Sequence, residues 1–159
     1  MLYICNHIVA YKLNIMNDKL TKEKVFNHSI DKVWKAISQG PEISKWFISA
    51  DFKPEEGYKY TFTATEEHGG TQIKGKVLEA NPYTLKYTWA VADSPVETTV
   101  VWKLERVGDQ TKLTLEHSGI SKFEGETAVE MFNHFGAGWD ACITGLFEYL
   151  NEKRREPAH

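Results

Sequence analysis

Cysteine is scarce in this sequence and its spacing is uninformative. The 159 residues include two cysteines, Cys5 and Cys142. Two distant cysteines form neither a disulfide framework nor a zinc site, and such scarcity suits a reducing compartment. We therefore expect a cytoplasmic protein in which Cys142 packs as a small apolar side chain.

Strong charge of one sign is also missing. The formal net charge is −3, and the basic cluster Lys153, Arg154 and Arg155 is small. Proteins that bind nucleic acid or anionic membranes usually carry a pronounced basic surface. We expect neither a nucleic-acid partner nor an anionic membrane partner.

No apolar run is long enough to cross a bilayer. The most apolar terminal segment, MLYICNHIVAYKLNIM at residues 1–16, is interrupted by Asn6, His7, Lys12 and Asn14. A spanning helix needs about 20 apolar residues, and a signal peptide needs a basic start and a small-residue cleavage site. We predict no membrane insertion. We interpret residues 1–16 as an extension, disordered or produced by an over-called start before Met16, or alternatively as an added strand or contact arm.

Familiar catalytic motifs are absent as well. The sequence has no GxSxG, no HExxH, no phosphate-binding loop and no GxGxxG that follows a strand. Its six histidines are scattered, and none pairs with another at metal-ligand spacing. The sequence therefore predicts no catalytic residue, no metal site and no cofactor, and an enzyme remains a minority alternative.

The N-terminal part of the domain reads as one strand followed by two short helices. Leu20–Phe26 has the β-branched and aromatic character of a strand. Ser29 can cap a helix whose apolar face includes Ile30, Val33 and Trp34. Pro41 is suited to the first position of a second helix, PEISKWF.

The central part alternates apolar and polar residues with a period of two, which is typical of half-buried strands. Short turns separate the alternating segments, so neighbouring strands should be antiparallel. The predicted strands are YKYTFTAT, QIKGKVLEA, YTLKYTWAV, VETTVVWKLE and TKLTLEHS.

A long helix follows after Glu126-Thr127. Its apolar side comprises Phe132, Phe135, Trp139, Ile143, Leu146 and Leu150. The same helix contains Gly136, Gly138 and Gly145, and each glycine inside a helix costs roughly 1 kcal/mol relative to alanine. Such small residues indicate either close packing of the helix or room for a ligand beside it.

The order of elements indicates an α+β fold, and three segments carry a resemblance to a known family. VWKAIS, PEISKWF and GWDACITGLFEYL resemble the START-like (Bet v 1-like, SRPBCC) superfamily, in the branch similar to the C-terminal domain of the activator of Hsp90 ATPase. The resemblance covers roughly Lys19 to Glu152. It implies a helix-grip fold with a curved antiparallel sheet of about six strands around a long C-terminal helix. We expect one domain at residues 17–152 and a tail at 153–159.

The resemblance also implies an internal cavity between the sheet and the last helix. In various members of the superfamily such a cavity holds apolar molecules of lipid, polyketide or phenolic type. We therefore expect non-enzymatic binding of such a molecule, with Trp46 and Phe47 at the opening. The candidate ligand-binding residues are Trp34, Trp46, Phe47, Tyr58, Tyr60, Phe62, Tyr87, Trp89, Trp102, His117, Phe135, Trp139 and Ile143. For most of these aromatic residues we expect membership of a large core, and both roles can hold at once if one end of the fold is solid and the other open.

Two other functions stay open. One is a protein-interaction domain that associates with a chaperone of the Hsp90 class. Family members of that kind carry a separate N-terminal domain with an Asn/Trp/His-rich motif, and residues 1–16 lack that motif. The other is a cyclase- or aromatase-like enzyme, for which His117 would be the residue to test. His117 shares a strand face with Leu113 and Leu115, whereas His134 falls on the polar side of the last helix. The expected oligomeric state is a monomer or homodimer.

Overall fold

In the computed structural model, residues 19–65, 70–92, 94–123 and 125–155 are described, and they form one antiparallel sheet and three α-helices. In chain order the elements are β1 (Lys19–Phe26), α1 (Ile30–Ser38), α2 (Gly40–Trp46), β2 (Ser49–Asp51), β3 (Lys59–Thr63), β4 (Gln72–Asn81), β5 (Thr84–Val91), β6 (Thr98–Val107), β7 (Gln110–Ser118), a 3₁₀ turn (Ile120–Lys122) and α3 (Gly125–Arg155). The predicted extension at residues 1–16 lies outside the described residues. Helix α3 continues to Arg155, inside the segment that was predicted as a tail.

The two short helices form where the sequence predicts them. The hydroxyl of Ser29 accepts a hydrogen bond from the backbone N–H of Lys32 and so caps α1. Ile30 and Val33 bury the apolar face of α1 in the core. Pro41 lies in the first turn of α2. The two helices are therefore consecutive, and Gln39 alone separates them.

The sheet is a curved meander whose strand order is β1-β7-β6-β5-β4-β3-β2. Strands β2 to β7 pair with their sequence neighbours, and β1 joins the far edge beside β7. This arrangement confirms the predicted α+β helix-grip fold, with seven strands where about six were expected. The additional strand is β2, which has three residues. Three residues are too few to display a period-two pattern.

Helix α3 lies across the concave face of the sheet, and its two halves meet different partners. In the C-terminal half, Leu146 and Leu150 are fully buried, and the hydroxyl of Tyr149 donates to the Glu42 carboxylate at 2.7 Å. In the N-terminal half, Asp140 accepts a hydrogen bond from Lys22 of β1 at 3.1 Å. The C-terminal half is thus fixed to α2 and the core, whereas the N-terminal half spans the more open end of the sheet.

Candidate functional site

A cleft of about 580 Å³ lies between the sheet and the N-terminal half of α3. Its sheet side is formed by Thr71 before β4, by Ile73 on β4, and by Trp89 and Val91 on β5. Ile73 and Val91 are paired across the two strands, so their side chains stand next to each other on one face. Every second residue of these strands therefore faces the cleft, and together these residues form a mostly apolar wall.

The opposite wall consists of two rows of residues on α3. Residues four apart lie on the same helix face. Met131, Phe135 and Trp139 form the inner row, and Glu130, His134 and Gly138 form the outer row. The outer row is solvent-exposed. The cleft therefore opens to solvent along this row.

The segment after α2 completes the cleft. Phe47 and Ile48 line it between α2 and β2. The ring of Phe47 stacks against Trp139 with centroids 6.4 Å apart and meets Phe62 edge-on at 5.6 Å. These contacts place Phe47 at the inner end of the cleft, where the aromatic core begins.

Gly138 leaves space in the outer row of the cleft wall because it has no side chain. A Cβ atom built on Gly138 would have no heavy atom of the described residues within 4 Å. Gly145 differs, since a Cβ there would lie 3.2 Å from the backbone oxygen of Trp46. Close packing therefore explains Gly145, while Gly138 borders open space in the cleft wall.

His117 lies behind the cleft wall, in a chain of hydrogen bonds that fixes its tautomer. Trp139 Nε1 lies 2.9 Å from His117 Nδ1, and an indole N–H can only donate. Nδ1 is therefore the acceptor, and in the neutral ring Nε2 donates to the Thr98 hydroxyl at 2.7 Å. That hydroxyl donates in turn to the backbone carbonyl of Trp89 at 3.2 Å. The chain links both tryptophans of the cleft wall through one fully buried histidine.

The indole nitrogen of Trp89 is buried without a hydrogen-bond partner among the described residues. The residue is 6% exposed, and its ring lies 5.2 Å from Trp139 and 6.2 Å from Phe62. Its indole N–H is buried, and no atom of the described residues accepts a hydrogen bond from it. Such a group is uncommon, because nearly all buried donors in folded proteins have a partner.

Away from the cleft, the space enclosed by the sheet and the helices is filled by a solid aromatic core. Tyr60 packs against Phe62 at 4.7 Å and against Tyr87 at 5.1 Å. The hydroxyl of Tyr60 donates to the Thr88 carbonyl, and Trp102 donates its indole N–H to the Tyr87 hydroxyl at 2.8 Å. Burial raises the pKa of both Tyr60 and Tyr87 above the ordinary tyrosine value. These side chains belong to the core, and their polar groups are hydrogen-bonded.

Four of the candidate residues meet in the cleft, namely Phe47, Trp89, Phe135 and Trp139. Tyr60, Phe62, Tyr87, Trp102, His117 and Ile143 are buried in the core around it.

The remaining three candidates do not line the cleft. Trp46 was expected at the opening, but its indole N–H donates to the Ala36 carbonyl at 2.8 Å. Trp34 contacts Tyr83 edge-on at 6.0 Å. Tyr58 donates its hydroxyl to Asp51, and this hydrogen bond raises the pKa of Tyr58.

Eight lining residues were not among the candidates. They are Ile48, Thr71, Ile73, Val91, Glu130, Met131, His134 and Gly138. Val91 shares its strand phase with Trp89, and Met131 precedes Phe135 by four residues, so periodicity contained a signal for both. For Thr71, Glu130 and His134 no local pattern distinguishes a cleft rim from ordinary exposed surface.

No group of three or more His, Cys, Asp or Glu side chains in the described part of the chain could hold a metal ion. Within the same residues, each helix is too short or too polar to span a membrane.

A family model describes most of the chain. The model of the activator of Hsp90 ATPase homolog 1-like proteins matches residues 27–151. The match includes α1, α2, strands β2 to β7 and α3 as far as Asn151. No sequence among curated proteins matches the chain significantly.

Solved structures share the fold over most of the chain. MLL2253 from Mesorhizobium loti is 26% identical, with a TM-score of 0.75 over 87% of this chain and 99% of that one. BH1534 from Bacillus halodurans is 26% identical, with a TM-score of 0.65 over 82% of this chain and 94% of that one. DynU16, from the dynemicin biosynthetic locus, is 21% identical with a TM-score of 0.72, and the match covers 84% of this chain but 47% of DynU16.

Proposed function

Because this chain belongs to the family of activator of Hsp90 ATPase homolog 1-like proteins, within the START-like superfamily, we propose that it binds an apolar, aromatic small molecule in the cleft beneath α3 and does not transform it. The observation that carries this proposal is the cleft itself. Ligand-binding pockets typically measure about 300–1,000 Å³ and are lined mainly by apolar and aromatic side chains with a few polar groups. A cleft of about 580 Å³ with this lining has those properties.

The polar groups of the cleft favour binding over catalysis. Among the described residues, the titratable lining residues are Glu130 and His134, and both are exposed at the rim. General acid–base catalysis relies on a group held in surroundings that tune it for proton transfer. His117, the residue of interest for a cyclase-like enzyme, lies behind Trp139 with both ring nitrogens already hydrogen-bonded.

The proposal can be tested with a substitution that fills the cleft and leaves the core intact. We expect titration with apolar aromatic probes (fluorene and flavone) to quench tryptophan fluorescence saturably for at least one probe, because Trp89 and Trp139 line the cleft. Gly138→Phe should weaken that binding at least tenfold, since its side chain enters open space in the wall. Ala141→Phe is the matched control, because Ala141 is exposed on the same helix and does not line the cleft. Equal binding by both variants, or no saturable response to any probe, would contradict the proposal.

The family description favours one alternative, contact with a chaperone of the Hsp90 class. This function would use the outer surface of the domain and would leave the cleft empty. Measuring the ATPase rate of a cognate Hsp90 with and without this protein distinguishes the two. Stimulation that Gly138→Phe leaves unchanged would favour the alternative.

A further inference from the structure

The cleft is lined by a carboxylate but by no lysine or arginine. Among the described lining residues, the carboxylate belongs to Glu130, and His134 is the side chain that can take up a positive charge. Helix α3, which forms one wall of the cleft, has no lysine or arginine before Lys153 near its C-terminal end. A bound anion would therefore find no lysine or arginine in this wall to neutralise it.

The Glu130 carboxylate has no cationic partner in the described part of the chain. It takes part in none of the ion pairs between described residues, whereas Asp140 on the same helix pairs with Lys22 of β1 at 3.1 Å. Glu130 is also exposed at the rim of the cleft. A cation can pair with it there and keep part of its hydration, which avoids the large cost of burying both charges.

The two rows of α3 separate the charged part of this wall from its apolar part. The outer row begins at Glu130 and ends at Gly138, and eight residues of helix rise about 12 Å. The inner row, which runs beside it, consists of Met131, Phe135 and Trp139. A ligand that lies along α3 can therefore place an apolar body against the inner row and a charged group beside Glu130.

We propose that the ligand is a cationic amphiphile, an aromatic molecule about 12 Å long whose ammonium group pairs with the Glu130 carboxylate at the rim. This inference rests on the proposed function and specifies its ligand class. Exposed ion pairs contribute little individually, so the apolar body supplies most of the affinity and Glu130 determines which charge is preferred. Carboxylates are disfavoured ligands, because they meet a like charge at the rim and no lysine or arginine.

Three biphenyl probes of nearly equal size test this inference. At neutral pH 4-phenylbenzylamine carries an ammonium group, 4-biphenylmethanol is uncharged and biphenyl-4-carboxylate is an anion. In ¹H–¹⁵N titrations of the full-length protein we expect the amine to bind about two- to fivefold more tightly than the alcohol, which is the magnitude of an exposed ion pair. The alcohol should in turn bind more tightly than the carboxylate. High salt should narrow both differences, because it screens exposed charges.

One substitution and a matched control identify the carboxylate. Glu130→Gln should weaken binding of the amine about two- to fivefold and strengthen binding of the carboxylate, since it removes the charge that attracts one and repels the other. A merely structural disturbance of the cleft would instead weaken both probes. Glu148→Gln is the control, because Glu148 is exposed on the same helix and does not line the cleft. It should leave the affinities of all three probes unchanged.

The outcomes separate this inference from the proposed function. Equal affinity for the three probes, or tightest binding of the carboxylate, would overturn the cationic-ligand inference and leave cleft binding standing. A preference for the amine that Glu130→Gln leaves intact would overturn the assignment of Glu130. If no biphenyl probe binds saturably while fluorene or flavone does, this inference alone is overturned. If none of these molecules binds, the proposed function is overturned with it.

Discussion

At the residue scale, the glycines of α3 show that one residue type serves two purposes within one helix. Gly145 lies where the helix approaches the end of α2, so a side chain would press on the Trp46 carbonyl. Gly138 lies where the helix borders the cleft, and in the described part of the chain no heavy atom lies within 4 Å of its Cβ position. The same local cost in helix propensity therefore accompanies close packing at one site and open volume at the other.

This difference gives the first stability prediction. Gly138→Ala should stabilise the protein by about 0.5–1 kcal/mol, because alanine improves helix propensity and meets no neighbour. Gly145→Ala should leave the protein about 1 kcal/mol less stable than Gly138→Ala does, since the new methyl group crowds a backbone oxygen. Urea denaturation of both variants measures the difference. Equal stabilisation by the two substitutions would show that α2 gives way without cost.

The buried histidine illustrates a second lesson at this scale. His117 has the burial and the strand position of a functional residue, yet both of its ring nitrogens are hydrogen-bonded, to Trp139 and Thr98. Buried polar groups in such networks usually specify structure. Among the described residues, the buried side-chain atom without a hydrogen-bond partner is Nε1 of its neighbour Trp89.

At the element scale, α3 is attached unevenly to the rest of the fold. Its C-terminal half is held by the Tyr149–Glu42 hydrogen bond, in which the Glu42 carboxylate is largely buried. Its N-terminal half is held by the Lys22–Asp140 ion pair, in which the Asp140 side chain is 63% exposed. Exposed ion pairs contribute little, because water and salt screen them.

We therefore expect Tyr149→Phe to destabilise the protein by about 1–3 kcal/mol, which is typical of losing a hydrogen bond to a charged group. Asp140→Asn should cost less than about 1 kcal/mol, and less still in high salt. Chemical denaturation at low and high ionic strength checks both values. A larger loss from Asp140→Asn than from Tyr149→Phe would refute this description of how α3 is anchored.

At the scale of the whole molecule, the space between the sheet and α3 is filled by side chains at one end and open at the other. Aromatic rings of β3, β5 and β6 fill the space near α1 and α2, while the first half of α3 spans the cleft. Local opening is easiest where a segment buries little apolar surface. The first half of α3 should therefore be the less stable part of that helix.

Hydrogen exchange can test this difference. We expect the backbone amides around Phe135 to exchange faster than those around Leu146, which is fully buried. A saturating cleft ligand should slow exchange mainly in the first half of α3, because binding stabilises the folded state in proportion to RT ln(1 + [L]/Kd). Uniform exchange along α3, or protection confined to its second half, would contradict the division into open and solid ends.

The local pattern of the sequence determined which segments form helices and strands. Period-two alternation marked the strands β3 to β7, the Ser29 cap and Pro41 marked the starts of α1 and α2, and the apolar stripe marked α3. These signals are local, because propensity, capping and periodicity act over a few residues. The resemblance of three segments to a family then supplied the arrangement of those elements, which composition alone did not.

The tertiary structure decided which inward-facing residues line the cleft and which fill the core. Trp46, Trp89, Trp102 and Trp139 look alike in the sequence, yet three of them find acceptors and Trp89 finds none among the described residues. Trp139 depends on an acceptor 22 residues away, and Tyr149 on one 107 residues away. Such pairings arise only when distant segments pack together. Local periodicity therefore predicts that a side chain is buried, but it does not predict which groups that side chain contacts.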